Sequence, residues 1–279
     1  MDKNFWSLIA RNDYQIPEGH THAELTQAIL GYLSSSDPVL RDEIAYMVFA
    51  HWLKREMYTR EEISQHVEAL LTNLEMGIGE TGTDSVFLRA FSALFLAEIV
   101  HNDNRKPLLD SGQIDAILTR GLRYLSAEQD PRGYIPVKGW AHALAHTADL
   151  MMVLASNRNL TANDLQNILF GISAKMTAAA GYLYIHGEDE RLARAVMAVL
   201  RRRLLSEEEV RVWVKSFTAP EDDVWKGAYE DEERNRAFQN TRNLLRSISL
   251  ELIMNEEHNP DLRALSHIFL KGLQDLSPN

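Results

Sequence analysis

Between Asp130 and Asp149 the chain reads Asp-Pro-Arg-Gly-Tyr-Ile-Pro-Val-Lys-Gly-Trp-Ala-His-Ala-Leu-Ala-His-Thr-Ala-Asp. Arg132, Tyr134, Lys138, Trp140, His142, His146 and Asp149 crowd into this one stretch, while most of the remaining sequence is ordinary amphipathic helix. The spacing predicts a loop followed by a helix over residues 139–156. On that helix Trp140, Leu144, Ala148 and Met151 form an apolar stripe. With Trp140 as origin, Asp149, His142 and His146 project at about 180°, 200° and 240°, on the opposite face. Residues three and four apart on a helix can touch one object.

Three kinds of chemistry follow. His142, His146 and Asp149 form a nitrogen–nitrogen–oxygen set suited to zinc, iron or nickel. Without metal, His142 or His146 suits a general acid or base, with Asp149 fixing an imidazole tautomer. Either histidine also suits plain structural hydrogen bonding. The element His-Ala-Leu-Ala-His has Ala143 where the zincin motif requires Glu, so the general base of that motif is absent. The loop presents Arg132, Tyr134 and Lys138 at the expected start of the helix, where free amides and the dipole attract anions. Asp130-Pro131, Gly133 and Pro136 mark the loop as turn-rich.

These residues need a frame, and the frame reads as all-α. The periodicity predicts about eleven helices, over 22–35, 38–55, 60–76, 85–101, 112–127, 139–156, 162–180, 188–203, 207–217, 230–255 and 260–276. Strand signals are scarce. Thr59-Arg-Glu-Glu62 and Ser206-Glu-Glu-Glu209 match the capping box, and Asp37, Asp84 and Thr161 are expected caps. Second helices of successive pairs begin near Asp37, Asp84, Lys138, Glu188 and Arg234, at intervals of 47, 54, 50 and 46 residues. HEAT and armadillo hairpins recur at about 40–47 residues. The expectation is a single domain over 1–279, a curved HEAT/armadillo-like array of antiparallel helical hairpins, with a compact orthogonal bundle as the competing architecture.

The segment from Ser85 to His101 is apolar all round, as for a helix buried between layers. It carries Arg89, which needs a carboxylate or carbonyl partner if buried. Asp42 and Glu43 are the expected partners, and an anion-binding arginine in a groove is the alternative.

Composition narrows the function classes. Hydrophobic residues make up 45% and charged residues 25%, as in a folded protein with a sizeable core. The net charge of −11 speaks against nucleic acid. Arg201-Arg202-Arg203 is a compact basic run at an expected helix end, where cations suit the dipole. There are no cysteines, which removes disulfides, thiolate metal sites and thiol nucleophiles. The apolar run from Ala90 to Ala97 is far short of a span, and the first eleven residues lack a long apolar core. The expectation is a cytoplasmic protein with no membrane partner.

Asp37-Pro-Val-Leu-Arg-Asp-Glu43, Ser85-Val-Phe-Leu-Arg-Ala-Phe-Ser-Ala-Leu94, Arg132-Gly-Tyr-Ile-Pro-Val-Lys-Gly-Trp-Ala-His142 with Ala145-His-Thr-Ala-Asp149, Asp189-Glu-Arg-Leu192 and Asn243-Leu-Leu-Arg246 give the chain a resemblance to a bacterial family of unknown function, DUF2785. The resemblance brings no activity. It implies that Arg89, Lys138, Trp140, His142, His146, Asp149 and Arg246 belong together. Val137 stands where a small residue would be expected.

Three functions remain open. The first is a binding module taking a small anionic ligand or peptide in a concave groove, with Asp42, Arg89, Arg132, Tyr134, Lys138, Trp140, Asp149 and Arg246 as ligand contacts. The second is an enzyme, including a metal-dependent hydrolase, using His142, His146 and Asp149. The third is a scaffold without a pocket. No cofactor is expected, with a divalent metal as the alternative.

Overall fold

Reciprocal caps start four of the helices. Thr59 and Glu62, Asp110 and Gln113, Thr161 and Asp164, and Ser206 and Glu209 each exchange side-chain and backbone hydrogen bonds across a first turn. The computed structural model describes residues 1–178, 181–219, 224–255 and 261–276. Among them the chain is all-α apart from one small hairpin. The α-helices are α1 (Lys3–Arg11), α2 (His22–Gly31), α3 (Met47–Lys54), α4 (Arg60–Asn73), α5 (Ser85–Arg105), α6 (Ser111–Ala127), α7 (Ala143–Ala155), α8 (Ala162–Thr177), α9 (Glu188–Arg201), α10 (Glu207–Thr218), α11 (Glu232–Asn255) and α12 (Asp261–Asp275). A 3-10 turn (Tyr32–Ser34) and a π-helical segment (Val39–Tyr46) precede α3. The expected helix ends Ala180 and Pro260 lie outside the described residues.

The chain divides into two compact units, Met1–Leu150 and Met151–Asn279. In the first, α5 is the centre. Val86, Phe87, Arg89, Ala90, Phe91, Phe95, Leu96, Ile99 and Val100 are all buried, as expected of a helix apolar all round. It packs against α3, α4, α6 and the 3-10 turn. By length and composition alone α5 could cross a membrane, but most of that window is buried inside the protein, as in a core helix. Trp52, Phe49 and Tyr124 complete this core. In the second unit α11 packs on α8, α9 and α12, and α10 packs on α8 and α12. Trp213, Phe238 and Phe269 fill that interior. Arg202, the last cap of α9, donates to the Ala155, Asn157 and Leu160 carbonyls.

Two expectations change. The segment 38–55 is not one α-helix but a π-helical stretch continuing into α3. The helix expected from residue 139 begins at Ala143, because residues 134–140 are taken up by the hairpin β1 (Tyr134–Ile135) and β2 (Gly139–Trp140).

His22 and His66 sit among the aromatic rings of the first unit, His22 4.4 Å from Tyr58 and His66 5.4 Å from it, centroid to centroid. Desolvation holds both imidazoles below the usual histidine range, against a smaller opposing pull from Glu62. The folded state therefore favours their neutral forms, whereas the unfolded chain takes up these protons near the ordinary value of about 6.5. Stability should be fully present above about pH 6.5 and fall as pH drops through that value toward the lower folded-state pKa values. Melting curves at about pH 7.5 and 5.5 should show a lower Tm in acid, and His22→Gln/His66→Gln should flatten the slope. Glu62 and Asp37, held low by hydrogen bonds to Thr59 and Lys3, act only in a separate and more acidic window.

Candidate functional site

The loop between α6 and α7 folds back as an antiparallel hairpin, with Tyr134 opposite Trp140 and Ile135 opposite Gly139. The ladder continues below the strands, where the Ala141 amide donates to the Gly133 carbonyl (2.8 Å) and the His142 amide to Arg132 (3.2 Å). The turn closes through the Lys138 amide on the Ile135 carbonyl (3.1 Å). Pro136 pre-sets the second turn position. The third position needs a positive φ, ordinarily met by Gly or Asn, and Val137 fills it at +71°. Val137 is also 91% exposed.

What seats the hairpin is Arg41, which belongs to no catalytic or binding motif in the sequence. It comes from the π-helical segment and is fully buried. Its guanidinium lies 4.1 Å from the Phe87 ring centroid and 4.7 Å from that of Phe91. Nη1 donates to the Ser35 carbonyl (2.7 Å). Nη2 donates to the Lys138 carbonyl (2.9 Å), the Trp140 carbonyl (3.2 Å) and Asp42 (2.9 Å). Gly139 passes over this point at φ +77°, where a Cβ would come within 2.8 Å of the Pro38 Cβ. The signal was present in the sequence: Arg41 shares the helical stripe of Ile44, Ala45 and Val48, all buried.

Carboxylates match the other cations here. Glu128 binds Arg89 through Nε (2.6 Å) and Nη2 (3.1 Å), and Arg89 Nη1 reaches the Gly77 carbonyl (2.8 Å) and Ser85 Oγ (2.8 Å). Thus Arg89 has Glu128 at the end of α6 as its partner, not Asp42 or Glu43. Asp42 goes to Arg41 instead, and its own desolvation raises its pKa. Asp130 accepts from the Gly82 amide and from Arg132 Nε (2.8 Å). Asp84, expected to cap α5, makes no side-chain cap there and takes the Lys138 ammonium at 2.7 Å. The loops before α5 and before α7 are thereby tied together.

The two histidines do not project from successive turns of one helix. His142 precedes α7, with φ +52° and its carbonyl accepting the His146 amide (2.9 Å). Its ring stacks on Trp140 at 4.1 Å and meets His146 edge-on at 5.8 Å. His146 contacts Phe91 edge-on at 4.9 Å, and its Nδ1 lies 3.2 Å from the Ala90 carbonyl. A carbonyl only accepts, so Nδ1 carries the proton. Tyr134 meets Trp140 edge-on at 5.0 Å. The result is a continuous file of rings, from Tyr134 (53% exposed) and Trp140 (39% exposed) through buried His142 and His146 to Phe91 in the core. Metal ligation by His142, His146 and Asp149 was one alternative; among the described residues no group of three His, Asp or Glu is placed to hold a metal ion. Asp149 lies part-buried on α7, and Arg246 is exposed on α11, in the second unit.

Residues 74–250 match the family described as "Protein of unknown function (DUF2785)". The chain belongs to this family. Neither the curated proteins nor the solved structures compared with it gave a match. The matched span contains α5, the hairpin and the ring file, while Arg41 lies before it.

Two outcomes test this geometry. Arg41→Met strands three part-buried carbonyls and part-buried Asp42, and urea unfolding should show a loss of about 3 kcal/mol. Val137→Gly removes a left-handed β-branched residue at an exposed tip, and the same measurement should show a gain of about 1 kcal/mol.

Proposed function

We propose that this protein is a binding module whose contact surface is the hairpin face carrying Tyr134, Val137 and Trp140, and that its ligand is a peptide presenting apolar or aromatic side chains. The observation that carries this reading is the exposed Tyr134–Trp140 pair held on a braced hairpin. Rigid aromatic side chains in a fixed setting bind with little loss of conformational freedom, and Trp and Tyr are the commonest binding hot spots. A small anion is less well supported at this place, because Asp130, Asp84 and Glu128 already match Arg132, Lys138 and Arg89. The recurring intervals in the sequence support a curved, HEAT-like array of hairpins as the frame for such a surface.

A catalytic reading draws support from His142, a buried imidazole on a left-handed backbone beside a second histidine. It differs from the first in requiring turnover of what binds.

Selection of displayed peptides on the immobilised full chain, followed by titration of the winners, tests both. Tyr134→Ala/Trp140→Ala should weaken binding by about thirtyfold or more with Tm little changed. Equal affinity for the double variant would remove the binding reading. Cleavage of the selected peptide, seen by mass spectrometry and lost in His142→Ala, would favour the catalytic one.

A further inference from the structure

Elsewhere in the first unit, the end of α3, the start of α4 and the end of α5 enclose a cleft of about 410 Å³. Its walls bring Lys54, Arg60, Arg105 and Lys106 together against a single carboxylate, Glu56, in a chain whose net charge is −11. Two of the four cations are engaged. Lys106 Nζ donates to Glu56 at 2.5 Å, and the Arg60 guanidinium donates to the Pro107 (2.9 Å) and Leu108 (3.3 Å) carbonyls. Lys54 and Arg105 are exposed and form no ion pair among the described residues.

The wall is held in place before any ligand arrives. The buried Asp103 carboxylate accepts the Leu108 amide (2.7 Å) and the Leu109 amide (2.8 Å), which fixes the turn after α5 from one side while Arg60 fixes it from the other. Glu56, two residues past the end of α3, has φ +58°, which turns the chain toward Tyr58. Leu53, Tyr58, Pro107 and Leu108 supply an apolar lining between the charges. Basic residues in a last helical turn often serve only the helix dipole. Here Lys54 and Arg105 end two different helices yet line one cavity, with two further cations and an apolar wall.

We infer that this cleft is a binding site for a small organic anion, a phosphate or carboxylate carried on a ring or short apolar body. Its volume falls in the range of small-molecule sites, and its lining combines a few fixed charges with apolar contact. The acid group would lie against Lys54 and Arg105, and the body against Leu53, Tyr58 and Leu108. This site is separate from the hairpin surface and does not rest on the peptide-binding reading.

Calorimetric titration of the full chain with phenyl phosphate, benzoate, inorganic phosphate and benzyl alcohol tests the inference. Saturable binding of phenyl phosphate or benzoate at about 1 mM or tighter is expected, with benzyl alcohol silent and inorganic phosphate weaker than phenyl phosphate. Which acid binds tighter identifies the head group. Lys54→Glu/Arg105→Glu should weaken binding at least tenfold, while Lys215→Glu on α10 and Tyr134→Ala/Trp140→Ala should leave it unchanged. Circular dichroism checks the fold, and Lys54→Gln/Arg105→Gln is read instead if charge reversal disturbs it. No saturable binding by about 10 mM, or equal affinity in the charge-altered variant, would overturn the site.

Discussion

A buried guanidinium with nowhere else to go organises this protein's first unit. Arg41 is removed from water between Phe87 and Phe91, and burial alone would disfavour its charge. An arginine stays protonated, so the surroundings must answer it. They do so with three backbone carbonyls and Asp42. Two of those carbonyls belong to Lys138 and Trp140. The hairpin therefore cannot lift away without leaving an ion stranded in an aromatic interior, a state worth several kcal/mol. The match is incomplete, since Nε finds no acceptor among the described residues. Even so, the π-helical segment, α5 and the hairpin are locked to one another through a single side chain.

Around this point acidic residues do the work of assembly. Asp130 and Asp84 each take a cation from the stretch that looked, as sequence, like an anion trap, and Glu128 takes Arg89 of α5. Charges that appear free in a linear chain are used up by closing two loops onto each other. What stays exposed at the hairpin tip is mostly ring and aliphatic surface, from Tyr134, Val137 and Trp140. Lys54 and Arg105, which form no ion pair among the described residues, lie elsewhere, at the ends of α3 and α5.

The sequence carried the class of the fold well. Capping boxes at Thr59 and Ser206, the cap at Thr161 and the all-round apolarity of α5 are local properties, and each appears where its residues placed it. Long-range choices were less legible. Nothing local distinguishes Glu128 from Asp42 as the partner of Arg89, because the choice depends on which loop returns to α5. The helical projection of Trp140 and His142 assumed a helix that begins four residues later than expected, so their bearings did not survive. The clustering of Trp140, His142 and His146 did survive, carried by stacked rings rather than helical period. Arg41 stood in an apolar stripe throughout, and a charged residue in such a stripe is the signal that would have identified it.

Gly139 carries this interdependence into the history of the gene. It crosses Pro38 and Arg41 so closely, on a backbone so unsuited to other residues, that any side chain intrudes. Every single-base change that replaces a glycine codon with another amino acid introduces a β-carbon. A lineage therefore cannot reshape the hairpin by small steps through this position. The segment around Pro38 and the tip around Lys138, about a hundred residues apart in the chain, would have to be remodelled in concert.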